Sequence, residues 1–147
     1  MIKISIITVS FNSASTIQKT FTSVKNQTYS PIEYIVVDGN STDGTQNIIL
    51  QNKSFINKWI SEPDRGLYDA MNKGIKMATG DIIGILNSDD TFYDDKVLEK
   101  IADFHLQNNI QVSVGNIKQH NKEGVYKRTY SSRYWKPEKL RIGFMPP

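Results

Sequence analysis

Residues 82–90 read Ile82-Ile83-Gly84-Ile85-Leu86-Asn87-Ser88-Asp89-Asp90, an apolar run that ends in two adjacent carboxylates. Five consecutive uncharged residues rich in Ile are typical of a strand that is buried on both faces of a parallel sheet. Such a sheet needs helices on both sides, and its ligands bind beyond the carboxyl ends of the strands. The stretch therefore predicts an α/β fold with a ligand site beside Asp89 and Asp90.

The adjacent carboxylates have two interpretations. Like charges at contact distance either raise the pKa of one group or attract a cation. Oxygen ligands favour hard divalent ions, so Asp89 and Asp90 are candidate ligands for Mg²⁺ or Mn²⁺. The alternative is that the pair is the solvated start of a turn that caps the next helix, because Asp is common in both turns and caps.

The N-terminal segment predicts a strand, a polar loop and a helix. Residues 4–9 form the strand pattern, and apolar residues at helical spacing begin at Ile17. Ser15 and Gln18 have the spacing of a capping box at the start of that helix. Polar side chains at the strand end either satisfy the loop backbone or face a ligand; these are Thr8, Ser10 and Asn12.

A second strand, residues 34–37, ends at Asp38 and is followed by a polar loop at 39–45. Thr42 or Asp43 is the expected N-cap of the next helix. Asp38 lies at the strand end, where its carboxylate could accept hydrogen bonds from a base or ribose, or from amides of the loop. The glycines of this loop do not form the G-x-G-x-x-G pattern of a dinucleotide-binding site.

Two further segments complete the predicted sheet. Residues 55–60 predict a short third strand, followed by a loop at 61–66 and a helix that ends at Gly80. Arg65 beside Asp64 is either a surface ion pair of small energetic value or a guanidinium suited to a diphosphate.

The segments after Asp90 predict one more helix and a strand pair. Asp94 is the expected cap of the helix, and His105 near its end is expected to be structural. Residues 111–117 predict a further strand, with which 124–128 could pair. The apolar residues beyond Tyr130 lack partners in the remainder of the chain, so we expect the chain to be part of a longer protein.

Composition is that of an ordinary globular domain, with 147 residues, 38% hydrophobic and 22% charged. Cysteine is absent, which excludes disulfides and zinc–thiolate sites and fits a reducing compartment. Neither a signal peptide nor an apolar run of about eighteen residues is present, so we expect a cytoplasmic location.

The net charge of +3 conceals an asymmetry along the chain. Through Ile117 there are 10 Lys and Arg against 13 Asp and Glu, and from Lys118 onward there are 8 against 2. The basic tail at 127–136 also contains aromatics, a composition compatible with nucleic acid, with the inner face of the plasma membrane or with a phosphorylated lipid. A solvated tail is the alternative, and nucleic acid is disfavoured because no recognisable binding fold accompanies the charge.

Four segments in order resemble the family 2 glycosyltransferases with a GT-A fold. They are residues 6–12 (Ile-Ile-Thr-Val-Ser-Phe-Asn), 36–45 (Val-Val-Asp-Gly-Asn-Ser-Thr-Asp-Gly-Thr), 62–74 (Glu-Pro-Asp-Arg-Gly-Leu-Tyr-Asp-Ala-Met-Asn-Lys-Gly) and 86–90 (Leu-Asn-Ser-Asp-Asp). The third segment is similar to transferases that build bacterial surface polysaccharides of the colanic-acid type. The resemblance implies a Rossmann-like three-layer sandwich around a mostly parallel sheet.

The resemblance also implies a role for each matching residue. In the nucleotide pocket it places Thr8, Ser10, Asn12, Asp38, Arg65, Asp69, Asn72 and Asp89. Asp38 would contact the base, Asp89 the ribose, and Asp90, with Asp89, the Mn²⁺ or Mg²⁺ on the diphosphate. Residues 1–117 would then bind the nucleotide sugar, with a UDP-sugar favoured. Residues 118–147 would begin the side that binds a glycan or lipid-linked acceptor.

The implied reaction is an inverting, metal-dependent sugar transfer, which needs a general base to deprotonate the acceptor hydroxyl. The base is unknown, because Glu123 and Glu138 are the only carboxylates after Asp103 and neither lies in a motif. One alternative is a fragment or inactive relative that binds a nucleotide sugar without catalysis. Another is nucleotidyl transfer, disfavoured because the Gly-rich, Arg-containing N-terminal loop that it requires is missing.

Overall fold

A computed structural model describes residues 1–121 and 123–134. The chain divides into two compact units, residues 1–104 and 105–147. This division concerns compactness alone, so the predicted functional boundary after Ile117 stays a prediction. The described elements of the first unit are β1 (Ile4–Ser10), α1 (Ile17–Lys25), β2 (Ile32–Asp38), α2 (Thr45–Gln51), β3 (Lys58–Ser61), α3 (Leu67–Met77) and β4 (Ile82–Ile85).

The first unit contains a four-stranded sheet in the order β3-β2-β1-β4, with each described pair parallel. Consecutive residues of β1 and β2 are buried because helices cover both faces. On one face Phe21 of α1 and Ile49 of α2 pack with Ile6 and Tyr34 of the sheet. On the other, Ala70 of α3 packs on β1 and β2. The predicted α/β three-layer sandwich is confirmed.

Helix α4 (Val97–Asn108) crosses the boundary between the units, and its Leu98 and Ala102 belong to the core of the first. The described part of the second unit holds an antiparallel pair, β5 (Ile117–His120) and β6 (Tyr126–Tyr130). The prediction of a strand over 111–117 is therefore wrong except at its last residue. Every residue of both strands is exposed, as are most residues at 111–116, so burial does not distinguish the strands from the segment that precedes them. The apolar residues expected to lack partners beyond position 134 lie outside the described residues.

Strand β4 differs from its prediction. We expected burial on both faces, but Ile83 and Ile85 are each 43% exposed, whereas Ile82 packs in the core. The reason is its position, because in the described sheet β4 pairs only with β1 and α3 packs over β1 and β2.

Several predicted element ends are also corrected. The first helix begins after Thr16 with no side-chain cap, and Gln18 instead accepts a hydrogen bond from Asn52, so the capping box is absent. Gly44, with φ of 99°, is the N-cap of α2, although Asp43 still accepts the Thr45 N–H. The third strand begins at Lys58 rather than at Phe55, since Phe55 and Ile56 pack in the core before it.

Gly80 does not end α3, which stops at Met77. A Cβ at Gly80 would lie 2.7 Å from the backbone nitrogen of Ser5 and 2.8 Å from the backbone oxygen of Lys3. Glycine is therefore required there because the turn before β4 presses against the start of β1. Of the helices in the described ranges, none combines the length and apolar character that crossing a membrane requires.

Candidate functional site

The loops that follow the parallel strands meet at one edge of the sheet. Because β1 lies between β2 and β4, the segment after β1 can contact the loops on both sides. Ser13 does so: its hydroxyl is 2.8 Å from that of Ser88, and its N–H donates to Thr45 Oγ1 at 2.8 Å. Asp43 completes the link by accepting the Ala14 N–H at 2.9 Å. We call segments 10–16, 38–45, 61–66 and 87–90 together the strand-end cluster.

Asp38 lies at the centre of this cluster with a fully buried side chain. Its Oδ1 accepts the hydroxyls of Ser10 at 3.0 Å and Ser41 at 2.5 Å. Its Oδ2 accepts the Ser41 N–H at 2.9 Å and the Ser61 hydroxyl at 2.7 Å. Four donors saturate a carboxylate, so Asp38 has the alternative role, that of accepting hydrogen bonds from the loops and holding them together. Contact between Asp38 and a base would require the loss of one of these four hydrogen bonds.

The other predicted residues of the first strand are divided between the core and the cluster. Thr8 is fully buried and its hydroxyl lies 2.8 Å from the Tyr34 hydroxyl, so its side chain belongs to the core. Asn12 has φ of 49° and lies at the surface. Its N–H donates to Ser41 and its Oδ1 accepts the Thr42 N–H at 3.0 Å, which fixes the conformation of the exposed loop.

The start of α3 places further charged residues near the cluster. The Arg65 N–H donates to Asp69 Oδ2 at 3.1 Å. This hydrogen bond, followed by the charge of Lys73, holds the pKa of Asp69 below its ordinary value. Within residues 1–121 and 123–134 the Arg65 guanidinium forms no ion pair, so the proposed surface pair with Asp64 is absent. Arg65 and Asn72 are exposed and available to a ligand.

Asp89 and Asp90 lie in a turn after β4, closed by the Asp90 N–H donating to the Asn87 carbonyl at 3.0 Å. Thr20 of α1 anchors this turn by donating its hydroxyl to the Asp90 carbonyl. Partial desolvation, and then the neighbouring charge of Asp89, raise the pKa of the Asp90 carboxyl. The contribution of Asp89 to this shift is one of the two consequences expected of adjacent like charges.

The donor set of this turn fits a divalent cation. Asn87 donates its amide to Asp90 at 3.3 Å, and its own Oδ1 is a buried acceptor without a hydrogen-bond partner in the described chain. Oxygen ligands of this kind suit Mg²⁺ or Mn²⁺. In the described ranges no three carboxylate or imidazole side chains form a group able to hold a metal ion by themselves. Water and a ligand phosphate would therefore have to complete the shell.

Two residues of the cluster were not selected from sequence. Phe11 is 66% exposed at the end of β1, and its ring lies beside Gly39. Asp64 reaches the same place from the loop before α3. An aromatic residue inside a polar loop was the available signal for Phe11, whereas the approach of Asp64 to Gly39 depends on the tertiary structure.

A separate polar groove of about 470 Å³ runs along α1 and residues 91–95, lined among others by Gln18, Asn26 and Asp95. It contains none of the predicted nucleotide or metal residues. The predicted site lies instead at the strand ends.

A family model described as Glycosyl transferase family 2 matches residues 5–146. The chain belongs to this family. The predicted family is thereby confirmed, and each of the four matching segments contributes residues to the strand-end cluster.

Named relatives and solved structures agree with this assignment. An uncharacterized glycosyltransferase of Mycobacterium tuberculosis is 44% identical over 90 residues, which are 60% of this chain and 34% of the relative. The Escherichia coli UDP-Glc:alpha-D-GlcNAc-diphosphoundecaprenol beta-1,3-glucosyltransferase WfgD is 37% identical over 114 residues, 77% of this chain and 45% of the relative. The chain therefore spans less than half the length of these relatives.

Among solved structures, S. aureus TarS 1-349 in complex with UDP-GlcNAc superimposes with a TM-score of 0.68 at 26% identity. The match covers 73% of this chain and 32% of that one. It supports the GT-A assignment of the parallel sheet and its helices.

Proposed function

We propose that this chain is the donor-binding part of a glycosyltransferase that moves a sugar from a nucleoside diphosphate to a glycan or lipid-linked acceptor in bacterial surface-polysaccharide synthesis. The observation that carries the proposal is the strand-end cluster, in which loops from four parallel strands are hydrogen-bonded into one surface. UDP is the favoured nucleotide, since the Escherichia coli relative is named for UDP-Glc and the TarS structure contains UDP-GlcNAc.

The proposed metal ligands are Asp89 and Asp90, with Mn²⁺ or Mg²⁺ as the cation. Breaking the bond between sugar and diphosphate builds negative charge on the leaving phosphate, which a divalent cation stabilises when bound there. The support for this assignment is the raised pKa of Asp90 and the Asn87 Oδ1, which has no hydrogen-bond partner among the described residues.

Other residues of the chain would bind and orient the donor. The exposed ring of Phe11 offers an apolar face to the base. Arg65, which is exposed and without an ion pair in the described ranges, offers a fork of donors to the diphosphate. Asn12 and Asp38 hold the surrounding loops in place and so reduce the ordering cost of binding.

The proposed inversion and the proposed acceptor rest on the family and its named relatives and not on the geometry of the described residues. Inversion at the anomeric carbon requires a base that accepts the proton of the acceptor hydroxyl. Glu123 is an exposed residue of a turn in the second unit, and Glu138 lies outside the described residues. We therefore assign donor binding to this chain and leave the base unassigned.

We also propose a cytoplasmic location with peripheral contact at the inner face of the plasma membrane. Its support is the excess of cations from Lys118 onward, together with the lipid diphosphate in the name of the Escherichia coli relative. Arg128 in this region lies over the ring of Tyr130 at 4.5 Å and donates to Gln119, so one of the basic side chains is already engaged within its unit.

The test is a calorimetric titration of UDP, UDP-sugars and GDP-sugars with and without Mn²⁺. We expect UDP to bind about tenfold more tightly with Mn²⁺ present, because Asp89 and Asp90 would hold the cation and its charge would offset that of the diphosphate. Asp90→Ala should remove that enhancement while changing the melting temperature little. Residues that hydrogen-bond to metal ligands typically contribute about 10–100-fold to metal affinity. A direct ligand such as Asp90 should contribute at least as much.

The matched control is Asp95→Ala, which removes an exposed carboxylate five residues further along and should retain the full enhancement. Absence of Mn²⁺-enhanced binding to every nucleotide tested would end the proposal. If Asp90→Ala lowers the melting temperature as clearly as it lowers the affinity for UDP, the Asp89–Asp90 turn has a structural role instead. Binding without sugar transfer would support the alternative of a nucleotide-sugar-binding fragment.

A further inference from the structure

The space beside Gly39, at the end of β2, is filled by a side chain from another loop. Gly39 is buried and its N–H donates to the Ser10 carbonyl at 2.8 Å, which extends the strand pairing. A Cβ at this position would lie 2.5 Å from Asp64 Oδ2 and 3.3 Å from the ring of Phe11. The Asp64 carboxylate therefore occupies the place that a side chain at position 39 would take, next to an exposed aromatic ring.

Asp38 and Asp64, the two carboxylates at this strand end, differ in their availability. Asp38 is fully buried and accepts four hydrogen bonds. Asp64 is only half-buried, and its Oδ1 accepts the Gly66 N–H at 2.8 Å. Its Oδ2 has no hydrogen-bond partner in the described parts of the chain. A partly desolvated carboxylate oxygen gains from an N–H or O–H donor supplied by a ligand.

The loop that carries Asp64 is held from both sides. Glu62 donates its N–H to the Asp38 carbonyl at 3.0 Å. Lys73 of α3 donates to the Pro63 carbonyl at 2.9 Å and pairs with Glu62 at the same distance. Because the loop is fixed before any ligand binds, the Asp64 oxygen is already oriented and little ordering is required on binding.

We propose that Asp64, rather than Asp38, recognises the nucleobase of the donor and selects a base with a ring N–H. This inference rests on the proposed function and names the base specificity of that site. A uracil N3–H can donate to the carboxylate, as can the corresponding ring N–H of thymine or guanine. Cytosine presents a lone pair at N3 and would face the Asp64 oxygen with a second acceptor, which weakens binding.

The experiment compares UDP with CDP at a fixed Mn²⁺ concentration, since both ligands carry the same ribose and diphosphate. We expect the wild-type chain to prefer UDP by about tenfold or more, the effect of one buried hydrogen bond made or left unmade. Asp64→Asn should reduce that preference by about tenfold, because its amide can donate to cytosine N3 and its oxygen can still accept the Gly66 N–H. Asp95→Asn, the same carboxylate-to-amide change at an exposed residue outside the strand-end cluster, is the control and should keep the wild-type ratio of the two affinities.

The assignment of Asp64 is overturned if Asp64→Asn still binds UDP more tightly with Mn²⁺ and keeps the wild-type ratio of UDP to CDP affinity. That result leaves the proposed function standing. Equal affinity of the wild-type chain for UDP and CDP overturns the assignment of Asp64 as well, whether or not the variant folds. A wild-type chain that binds neither nucleotide removes the proposed function and this inference together.

Discussion

At the residue scale, the carboxylates of the site differ in how many hydrogen bonds they already accept within the protein. Asp38 accepts four hydrogen bonds from three serines, two of which come from neighbouring strands. Asp90 has a raised pKa beside Asp89. A saturated carboxylate organises loops, whereas an unsaturated one binds a cation or a donor group. Sequence alone could place all three at strand ends but could not show which were already engaged.

Asp38→Asn should lower the free energy of unfolding by about 2–3 kcal/mol, because the amide nitrogen would replace an acceptor facing the Ser41 N–H and Ser61 hydroxyl. Urea denaturation monitored by circular dichroism measures this loss. The matched substitution Asp64→Asn, on a half-buried carboxylate with one internal hydrogen bond, should cost about 0.5 kcal/mol. Similar losses for the two variants would contradict the distinction between the carboxylates.

At the element scale, close approach of the layers sets the position of α3 and so of Arg65 and Asp69. A Cβ at Gly74 of α3 would lie 2.4 Å from Cγ2 of Ile7, a fully buried residue of β1. The sequence predicted this helix, and its Ala70 packs on β1 and β2. It did not reveal the close approach, because Gly74 within an otherwise regular helical pattern carries no signal of what lies opposite it.

Gly74→Ala should therefore destabilise the protein by about 1–3 kcal/mol through overpacking against Ile7. This loss should exceed the gain of about 1 kcal/mol that Ala brings to an exposed helix position. Thermal unfolding followed by calorimetry measures the net effect. Gly115→Ala is the control, since nothing lies within 4 Å of a Cβ there, and it should change stability by about 0.5 kcal/mol or less. A Gly74→Ala variant as stable as the wild type would show that the layers can separate at no cost.

The same scale shows where sequence patterns were insufficient. Residues 82–86 are as apolar as the central strands, but the degree of burial of Ile83 and Ile85 depends on which neighbours the strand has. The start of β3 at Lys58 depends on Phe55 and Ile56 packing in the core before the strand begins. Hydrophobic runs identified the strands, whereas pairing and coverage set their bounds.

At the scale of the whole molecule, the two ends of the sheet are different in chemistry. The strand-end cluster is polar and partly unsatisfied, whereas the opposite end is closed around the buried Glu33. This carboxylate accepts the Ser5 hydroxyl at 2.6 Å and the Thr79 N–H at 2.7 Å, and pairs with Lys58 at 2.9 Å. Polar residues after the predicted strands and the four resembling segments allowed the sequence to predict the polar end, but no motif marked the Glu33 network.

Glu33 should make stability depend on pH. Burial alone would raise the pKa of its carboxyl, but hydrogen bonds from Ser5, Lys58 and Thr79 outweigh burial and hold the pKa well below the ordinary value of 4.5. The stabilisation is therefore complete above about pH 4.5 and is lost as the pH falls below it. Glu33→Gln should lower the free energy of unfolding by about 2–3 kcal/mol at neutral pH.

The wild-type chain should then lose more stability than Glu33→Gln between about pH 6 and about pH 3.5, measured by urea denaturation at each pH. The other carboxylates are common to both chains, so the difference isolates Glu33. Parallel pH profiles for the two chains would contradict the assigned role of this network.

The measurement that tests the common donor site most directly is paramagnetic broadening of backbone amide signals by Mn²⁺ in the presence of UDP. We predict broadening at the ends of β1, β2 and β4, at Asn12, Ser41 and Asp90. Signals at Lys3 and Glu33 should be retained, because the strands carry those residues about 20 Å away. Broadening confined to one loop, or centred at the Lys3 and Glu33 end, would contradict a shared cation site.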